Sequence, residues 1–397
     1  MSGRNESIGF RHRENHLKYS RLIIGSSEKS WQLNTRKIML FKKLTVILKV
    51  TKHCNLDCTY CYESKAEHKF MSEELLLKCL DEITEISEDS TIILHGGEPL
   101  SISKMRFKKF LEYGDKKQKE GKKLTYNLQS NGMYIDQEWI EIIKKYNISV
   151  GFSIDGPENL HDKNRLTRNG KGSHKTVLKN LEFADQAGVE KNCLCVITKD
   201  NLTDIKSTFG FFNGLGVKNI DFLPCMTKNL NNGTQDDLTL SPEDYSSFII
   251  EYYKLWKANN GGYQVRSFCD FIDILNKKHA VTCHLLYPKI CGREVISIDT
   301  DGDVYPCDSF TGLKEMQMGN IERDGLENIY LSKKNRDFYE IANTIPKDCD
   351  SCTYLEYCFG GCLYHRYFKS GDLSAKTYYC RAYKNIFRYF KQTINQS

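Results

Sequence analysis

The cysteines are the feature of this sequence that most restricts its fold. Sixteen of the 397 residues are cysteine, and most of them stand in two groups. The first group has the spacing C-x3-C-x2-C and consists of Cys54, Cys58 and Cys61. The second group follows residue 282 and consists of Cys283, Cys291, Cys307, Cys349, Cys352, Cys358, Cys362 and Cys380. In a chain without an export signal, clustered cysteines bind metal more often than they form disulfides. The spacing therefore predicts metal centres in two parts of the chain.

We expect neither a membrane span nor a secretory signal in this sequence. No stretch approaches the ~18 consecutive apolar residues that a transmembrane helix requires. At the start of the chain, a signal would need an apolar core, but Arg4, Arg11, Glu14 and Arg21 interrupt the sequence there. We therefore expect a cytoplasmic protein with no membrane partner.

Positive charge is concentrated at the amino terminus. The formal charge of the chain is +6, and residues 1–43 hold ten Lys or Arg against three Glu. One interpretation is a solvated, partly disordered basic N-terminal extension. The other is a docking surface for an acidic peptide or a nucleic acid. The extension lacks interleaved aromatics and no nucleic-acid motif occurs elsewhere, so we expect no nucleic-acid partner.

From Leu44 to about Met226, short apolar runs alternate with longer helical patterns. Six strand–helix units of this kind predict an α/β fold with a parallel sheet, either open or closed into an incomplete barrel. In both architectures functional residues collect at the carboxyl ends of the strands. The predicted strands are Leu44–Val50, Thr91–Leu94, Leu124–Gln129, Ile148–Ile154, Asn192–Ile197 and Val217–Leu223. The predicted helices are Ser72–Ser87, Ser103–Lys119, Gln137–Tyr146, His174–Ala187 and Leu202–Leu215.

The pattern changes twice after this region. A break rich in Asn, Asp and Gly over Thr227–Thr239 is followed by two predicted helices, Pro242–Ala258 and Phe268–Lys278. Beyond residue 282 the regular periodicity fades, and we expect that part to fold around metal rather than around a large apolar core. The predicted organisation is an N-terminal extension (1–43), a strand–helix core (44–230), a helical connection (231–281) and a metal-binding domain (282–397).

The first cysteine group lies where an active site is expected. Its loop follows the first predicted strand, at the carboxyl end of the sheet. A closed iron–sulfur cube takes four thiolates, so three leave one iron open to another ligand. A zinc site with His53 as fourth ligand, or three unrelated core cysteines, are the alternatives.

The cysteine triple, followed directly by the aromatic Tyr62, resembles the radical S-adenosylmethionine (SAM) superfamily. The resemblance implies a partial (β/α)6 barrel whose open iron chelates the amino and carboxylate groups of SAM. It further implies that one electron, from a donor such as flavodoxin or ferredoxin, cleaves SAM to methionine and a 5′-deoxyadenosyl radical. That radical then abstracts a hydrogen atom from the substrate.

Further segments fit the same resemblance. His95-Gly96-Gly97-Glu98-Pro99 is similar to the family's Gly-Gly-Glu-Pro motif, which receives the methionine amino group. Glycine permits close backbone approach, and Glu98 can accept hydrogen bonds from an ammonium group. Arg165 could pair with the methionine carboxylate, although a surface arginine is the alternative. Tyr62 could border adenine, with core packing as its alternative. The residues expected to bind SAM are Tyr62, Gly96, Gly97, Glu98, Asn131, Ser153, Asp155 and Arg165.

The carboxyl-terminal cysteines resemble the SPASM extension of radical SAM peptide and protein maturases. The resemblance implies two auxiliary 4Fe–4S clusters with interleaved ligands, which brings the total to three clusters. A pair of structural zinc ribbons is the alternative. Cys79, Cys193, Cys195, Cys225 and Cys269 are left over, and we expect them to be small buried hydrophobes. The implied ligands are Cys283, Cys291, Cys307 and Cys362 for one cluster, and Cys349, Cys352, Cys358 and Cys380 for the other. An open first auxiliary cluster without Cys283 as a ligand is the alternative.

Asp308, directly after Cys307, is the candidate catalytic residue. Its segment resembles the anaerobic sulfatase-maturating enzymes, in which the matching aspartate is a general base; a turn residue or hydrogen-bond acceptor is the alternative. Those enzymes usually have Gln and Tyr where this chain has His95 and Glu63, and His95 is typical of maturases of ribosomally made peptides. We therefore favour modification of a ribosomally synthesised peptide. Formylglycine formation on a sulfatase is the second hypothesis, and a non-enzymatic metal-binding scaffold is the third.

Overall fold

The structure is a computed structural model that describes residues 39–63, 68–227, 238–278, 280 and 282–394. Most of the predicted basic extension therefore lies outside the described residues. Residues from Met39 onward form one compact unit by themselves.

The described residues form a single sheet of ten strands in the order β10-β9-β8-β1-β2-β3-β4-β5-β6-β7. From β1 to β6 each strand pairs in parallel with the next one along the chain. This confirms the predicted α/β fold with a parallel, barrel-like sheet. The strands are β1 (Phe41–Thr51), β2 (Ser87–Gly96), β3 (Lys123–Ser130), β4 (Ser149–Ser153), β5 (Asn192–Ile197), β6 (Asn219–Pro224), β7 (Gln264–Val265), β8 (Val295–Ile298), β9 (Asp303–Tyr305) and β10 (Gly319–Asn320).

Helices connect the parallel strands, and local sequence sets where they begin. At the first helix the Ser72 side chain accepts a hydrogen bond from the backbone of Leu75, which satisfies one of the free donors of the first turn. The helices of the first half are α1 (Glu73–Ile86), α2 (Lys104–Lys119), α3 (Gln137–Lys145), α4 (Glu158–Asn164), α5 (His174–Gln186), α6 (Lys199–Thr203) and α7 (Ile205–Leu215). Those of the second half are α8 (Pro242–Ala258), α9 (Arg266–Leu275), α10 (Leu326–Leu331), α11 (Lys333–Asn343), α12 (Leu355–Cys358), α13 (Leu363–Ser370) and α14 (Cys380–Ile394).

Two details differ from the predicted helices. The helix predicted over Leu202–Leu215 is two helices, because the backbone of Asp204 is not helical (φ −132°, ψ 54°). The Asp204 side chain instead caps α7 by accepting a hydrogen bond from the backbone N–H of Ser207. The short helix α4 was not predicted at all. It is only two turns long and has too few residues to show a clear apolar period.

The carboxyl-terminal part continues the sheet. β8 pairs in parallel with β1, and β9 then runs antiparallel to β8. The last helix, α14, buries Ile386, Phe387 and Phe390, and the Phe390 ring lies 4.5 Å from the ring of Tyr253 on α8. The expectation that this part lacks a large apolar core is wrong, because its buried side chains join the core of the strand–helix region.

None of the helices in the described ranges has the length and apolar character that crossing a membrane requires.

Candidate active site

The first cysteine loop begins directly after β1. Cys58 is buried, Cys54 is partly exposed and Cys61 is exposed. The backbone N–H of Leu56 lies 3.4 Å from Cys54 Sγ, and the side-chain amide of Asn131 donates to the same sulfur at 3.6 Å. Burial raises the pKa of Cys54 to about 12, with contributions from Glu98, Cys58 and Cys61. A bound metal centre is the kind of partner that would offset this cost and hold the three sulfurs as thiolates.

The His53 ring contacts the ring of His68. Its Nδ1 lies 3.0 Å from Nδ1 of His68, and the two rings are 5.2 Å apart. The structure therefore gives His53 a different partner from the one that the zinc alternative needs.

The Gly-Gly-Glu segment at the end of β2 is tied to the cysteine loop. Gly97 donates to Thr51 O at 2.8 Å, and Glu98 donates to His53 O at 2.8 Å. A Cβ atom on Gly97 would lie 2.3 Å from His53 O, and one on Gly96, where φ is +120°, would lie 2.1 Å from Thr51 O. Only glycine permits this approach of the two strand ends.

The Glu98 carboxylate is fully buried and already holds three hydrogen bonds. It accepts from Leu100 N at 2.9 Å, Ser130 Oγ at 2.9 Å and Asn131 N at 2.6 Å. Burial raises its pKa to about 7, against the effect of these donors. Two carboxylate oxygens offer about four acceptor positions, so there is capacity for one further donor such as an ammonium group.

Asp155 and Arg165 form a buried ion pair beside the cysteine loop. Arg165 Nε lies 2.9 Å from Asp155 Oδ2, and Nη2 lies 3.2 Å from Oδ1. Tyr60, between Cys58 and Cys61, donates its hydroxyl hydrogen to Asp155, and its ring lies 5.5 Å from the guanidinium carbon. Arg165 is 7% exposed, so it is not a surface arginine. In this structure its partner is a protein carboxylate, and the proposed pairing with SAM stays a prediction.

Asn131 and Ser153 stand at the ends of β3 and β4. Asn131 donates to Asn55 Oδ1 at 2.8 Å, and Ser153 Oγ accepts from the side-chain amide of Gln129 at 2.9 Å. The fold thus brings the predicted SAM-binding residues to one edge of the sheet.

Asp308 reaches this edge from the carboxyl-terminal part of the chain. The Tyr62 hydroxyl donates to Asp308 Oδ2, and Lys49 Nζ lies 3.0 Å from Asp308 Oδ1. Although burial alone would raise the pKa of Asp308, the charges of Lys49 and His95 and the Tyr62 hydrogen bond hold it well below its usual value. Asp308 is therefore a carboxylate at neutral pH. Tyr62, predicted to border adenine, directs its hydroxyl to the aspartate.

Lys49 is a site residue that sequence reasoning missed, and its contact with Glu63, a residue noted above only for its difference from the sulfatase-maturating enzymes, was missed as well. Lys49 is 1% exposed on β1, and its ammonium pairs with both Glu63 and Asp308. Burial opposes its charge, but the two carboxylates raise its pKa above the usual value. A lysine near the end of an otherwise apolar central strand was the available signal, because a buried charge needs a partner.

The carboxyl-terminal cysteines separate into two sets. One set, called the second cysteine set, surrounds a cavity and consists of Cys349, Cys352, Cys358 and Cys380. Tyr354, Gly360, Thr377 and Lys384 also line this cavity. The pKa of Cys349 is raised to about 11 by burial and by Cys358 and Cys380, whereas that of Cys362 is raised to about 11 by burial and by Cys307. The resemblance assigns one cluster to each of these sets, and that assignment of ligands stays a prediction. The first cysteine set is Cys283, Cys291, Cys307 and Cys362, and the second cysteine set is Cys349, Cys352, Cys358 and Cys380.

Within the described ranges, no three His, Cys, Asp or Glu side chains are spaced to hold a single metal ion. A cubane cluster places several irons between its ligands, and its sulfurs therefore stand farther apart than those around one ion. The all-sulfur donor sets and the cavity of the second cysteine set fit an iron–sulfur cluster.

Four of the five remaining cysteines are buried as predicted, namely Cys79, Cys193, Cys195 and Cys225. The prediction for Cys269 is wrong, since this residue is exposed. It lies on α9, whose neighbouring residues Phe268 and Phe271 take the buried face and leave Cys269 toward solvent.

Two family models match parts of this chain. The family model described as Radical SAM superfamily matches residues 48–212, and the SPASM model, an iron–sulfur cluster-binding domain, matches residues 290–353. The cysteine-type anaerobic sulfatase-maturating enzyme of Clostridium perfringens is 27% identical over 365 residues, which cover 89% of this chain and 98% of the relative. The serine-type enzyme of Bacteroides thetaiotaomicron is 28% identical over 375 residues, covering 88% of this chain and 89% of the relative.

Solved structures show the same fold. The structure described as native anSMEcpe with bound AdoMet and Cp18Cys peptide has a TM-score of 0.81 at 27% identity, and the match covers 89% of this chain and 98% of that one. Streptococcus suis SuiB bound to the precursor peptide SuiA has a TM-score of 0.64 at 15% identity, covering 94% of this chain and 88% of that one. The second likeness concerns the fold alone.

Proposed function

Because this chain belongs to the radical SAM superfamily and carries a SPASM domain, we propose that it oxidises a side chain of a ribosomally synthesised peptide, with Asp308 as the general base. It is a radical SAM enzyme of the maturase type that uses SAM and iron–sulfur clusters. The observation that carries the proposal is the contact of Asp308 with Tyr62, which joins the carboxyl-terminal part of the chain to the first cysteine loop.

Cys54, Cys58 and Cys61 would hold the first cluster, and the edge formed by Gly96, Gly97, Glu98, Asn131, Ser153 and Asp155 would hold SAM. When bound there, cluster and SAM supply a radical that removes a hydrogen atom from the substrate. Glu98 is placed to accept one more hydrogen bond. The Asp155–Arg165 pair fixes Tyr60 and so braces the loop between Cys58 and Cys61.

Asp308 is ionised and can therefore accept a proton from the substrate. Tyr62 and Lys49 contact opposite oxygens and fix its orientation, and both contacts also lower its basicity. A positioned general base contributes roughly 10²–10⁴-fold to a proton-transfer step. Asp308 would take the proton from the group beside the oxidised carbon.

The proposed substrate class rests on His95 and Glu63. They replace the Gln and Tyr that are usual in the sulfatase-maturating enzymes. Glu63 adds a second carboxylate to Lys49 at this place. We infer from these two differences a substrate segment other than that of a sulfatase. A small electron-transfer protein is the proposed redox partner.

Formylglycine formation is the second candidate. It is favoured by Asp308 directly after Cys307 and by the 27% identity to the Clostridium perfringens enzyme over nearly its whole length. The two candidates share the hydrogen abstraction and differ in the product.

The test uses anaerobically reconstituted protein with a chemical reductant and SAM. It is offered, separately, a sulfatase-derived peptide with a central Cys or Ser and the short peptide encoded beside its own gene. A crosslinked peptide without aldehyde supports the proposed function, and a product that reacts with a hydrazide supports formylglycine formation. Zinc in place of iron, with no SAM cleavage, would support the scaffold hypothesis instead.

A further inference from the structure

Two buried cations lie among the carboxyl-terminal cysteines. Lys289 is 2% exposed and Arg366 is 1% exposed. Burial lowers the pKa of both groups, that of Lys289 to about 8, and the largest electrostatic effects on them come from nearby cysteines and, for Lys289, also from Arg366. A buried charge without a counterion is costly, so an anion is missing from this environment.

Arg366 lies against the segment that joins the two cysteine sets. Its Nε and Nη2 donate to Gly360 O at 3.0 Å and Phe359 O at 3.1 Å. These carbonyls stand between Cys358, of the second cysteine set, and Cys362, of the first. A Cβ atom on Gly360 would lie 2.3 Å from Arg366 Nη2, so glycine is required for the guanidinium to approach.

Lys289 makes the corresponding contact on the other side. Its Nζ donates to His284 O at 3.1 Å, within the segment that joins Cys283 to Cys291. The cysteines that act on Lys289 electrostatically are Cys291 and Cys362 of the first cysteine set and Cys358 of the second. Arg366 is likewise influenced by members of both sets. The two cations therefore lie between the sets rather than beside one of them.

We propose that Lys289 and Arg366 form a shared cationic bridge that raises the reduction potentials of both auxiliary clusters. This rests on the proposed function in that the eight cysteines are taken as cluster ligands. Reduction adds one electron to a site that is already anionic, and a nearby buried cation stabilises the added charge. Loss of either cation should make both potentials more negative. Arg366 also satisfies buried carbonyls, so Lys289 is the cleaner position to test.

The experiment uses the full chain with Cys54, Cys58 and Cys61 replaced by alanine, which leaves the auxiliary sites alone. Both midpoint potentials are measured by redox titration followed by electron paramagnetic resonance, beside the iron content. Lys289→Gln should move both midpoints to more negative potentials, and Lys289→Arg should restore them. Lys384→Gln, which changes a lysine lining only the cavity of the second cysteine set, should move one midpoint. Lys175→Gln, at an 82% exposed lysine on α5, should move neither.

Unchanged midpoints in Lys289→Gln, or an equal change in Lys289→Arg, would overturn the bridge. Loss of iron in the Gln variant but not in the Arg variant would overturn the effect on potential in favour of a cation that is needed to bind the clusters. Loss of iron in both would overturn it in favour of a packing role. If the unsubstituted chain binds no iron at all, the proposed function fails instead.

Discussion

The two cysteine regions differ in how they neutralise buried charge. Around the first loop, cations have carboxylate partners: Arg165 pairs with Asp155, and Lys49 pairs with Asp308 and Glu63. Around the carboxyl-terminal cysteines, Lys289 and Arg366 are surrounded by thiols and carbonyl oxygens. The buried cations of the first region thus have carboxylate partners within the protein, whereas in the second region the proposed clusters would supply the negative charge. Cations paired with carboxylates suit a site whose cofactor comes and goes, because their charge stays compensated when the cofactor leaves. Cations without carboxylate partners suit a site whose anionic cofactor stays bound.

The strongest separation of the two regions should come from Cys58→Ala. We expect reductive SAM cleavage to be abolished, because the first cluster loses one of its three ligands, while the auxiliary clusters remain. The measurement is 5′-deoxyadenosine formation together with iron content. Continued cleavage would contradict the assignment of the first loop.

Removal of the ion pair between Asp155 and Arg165 should destabilise the first region even in the metal-free protein. Asp155→Asn leaves Arg165 buried without its counterion, and we expect the free energy of unfolding of the metal-free protein to fall by about 3–5 kcal/mol. Urea denaturation measures this. The control is Glu190→Gln at the exposed pair with Lys218, which should cost less than about 1 kcal/mol. Equal decreases in the free energy of unfolding would show that the buried pair contributes no more to stability than the exposed pair.

Asp308→Asn should separate radical generation from product formation. We expect SAM cleavage to persist and product to fall by roughly 10²–10⁴-fold, because the amide cannot accept the proton. Mass spectrometry of the peptide and chromatography of 5′-deoxyadenosine give the two rates. If turnover is unchanged, Asp308 is a structural residue.

Lys49→Met should have a smaller, pH-dependent effect. Lys49 lowers the pKa of Asp308 against the opposing effect of burial. With the lysine present, Asp308 stays ionised as the pH falls well into the acid range; without it, the pKa rises and product formation is lost at a higher pH. In the pH profile of product formation, with SAM cleavage as internal control, the acid limb should shift to higher pH. An unmoved limb would mean that Lys49 does not tune the base.

Much of the fold and of the candidate site could be predicted from the sequence wherever a local pattern reports it. The strand positions follow from apolar runs, and the grouping of the cysteines follows from their spacing, while their role as cluster ligands stays a prediction. The partners of Asp308 could not be predicted, because Lys49 and Asp308 are far apart in the chain and meet only after β8 pairs with β1. The pairing of Arg165 with Asp155 was missed for another reason: both residues were assigned to SAM, and neither was considered as the partner of the other.

The apolar face of α14 shows a second limit. Its helical period was present in Tyr383, Ile386, Phe387 and Phe390, but the surrounding cysteines favoured an interpretation based on metal alone. Burial against α8 and α9 is a tertiary contact that no local pattern reports.

The pairing of β8 with β1 also bears on how this chain can be divided. A fragment ending near residue 282 would lose Asp308 and would leave the edge of β1 uncovered along Thr45–Leu48. An unpaired, apolar edge strand recruits other strands. Such a fragment is therefore expected to self-associate rather than behave as an independent catalytic module.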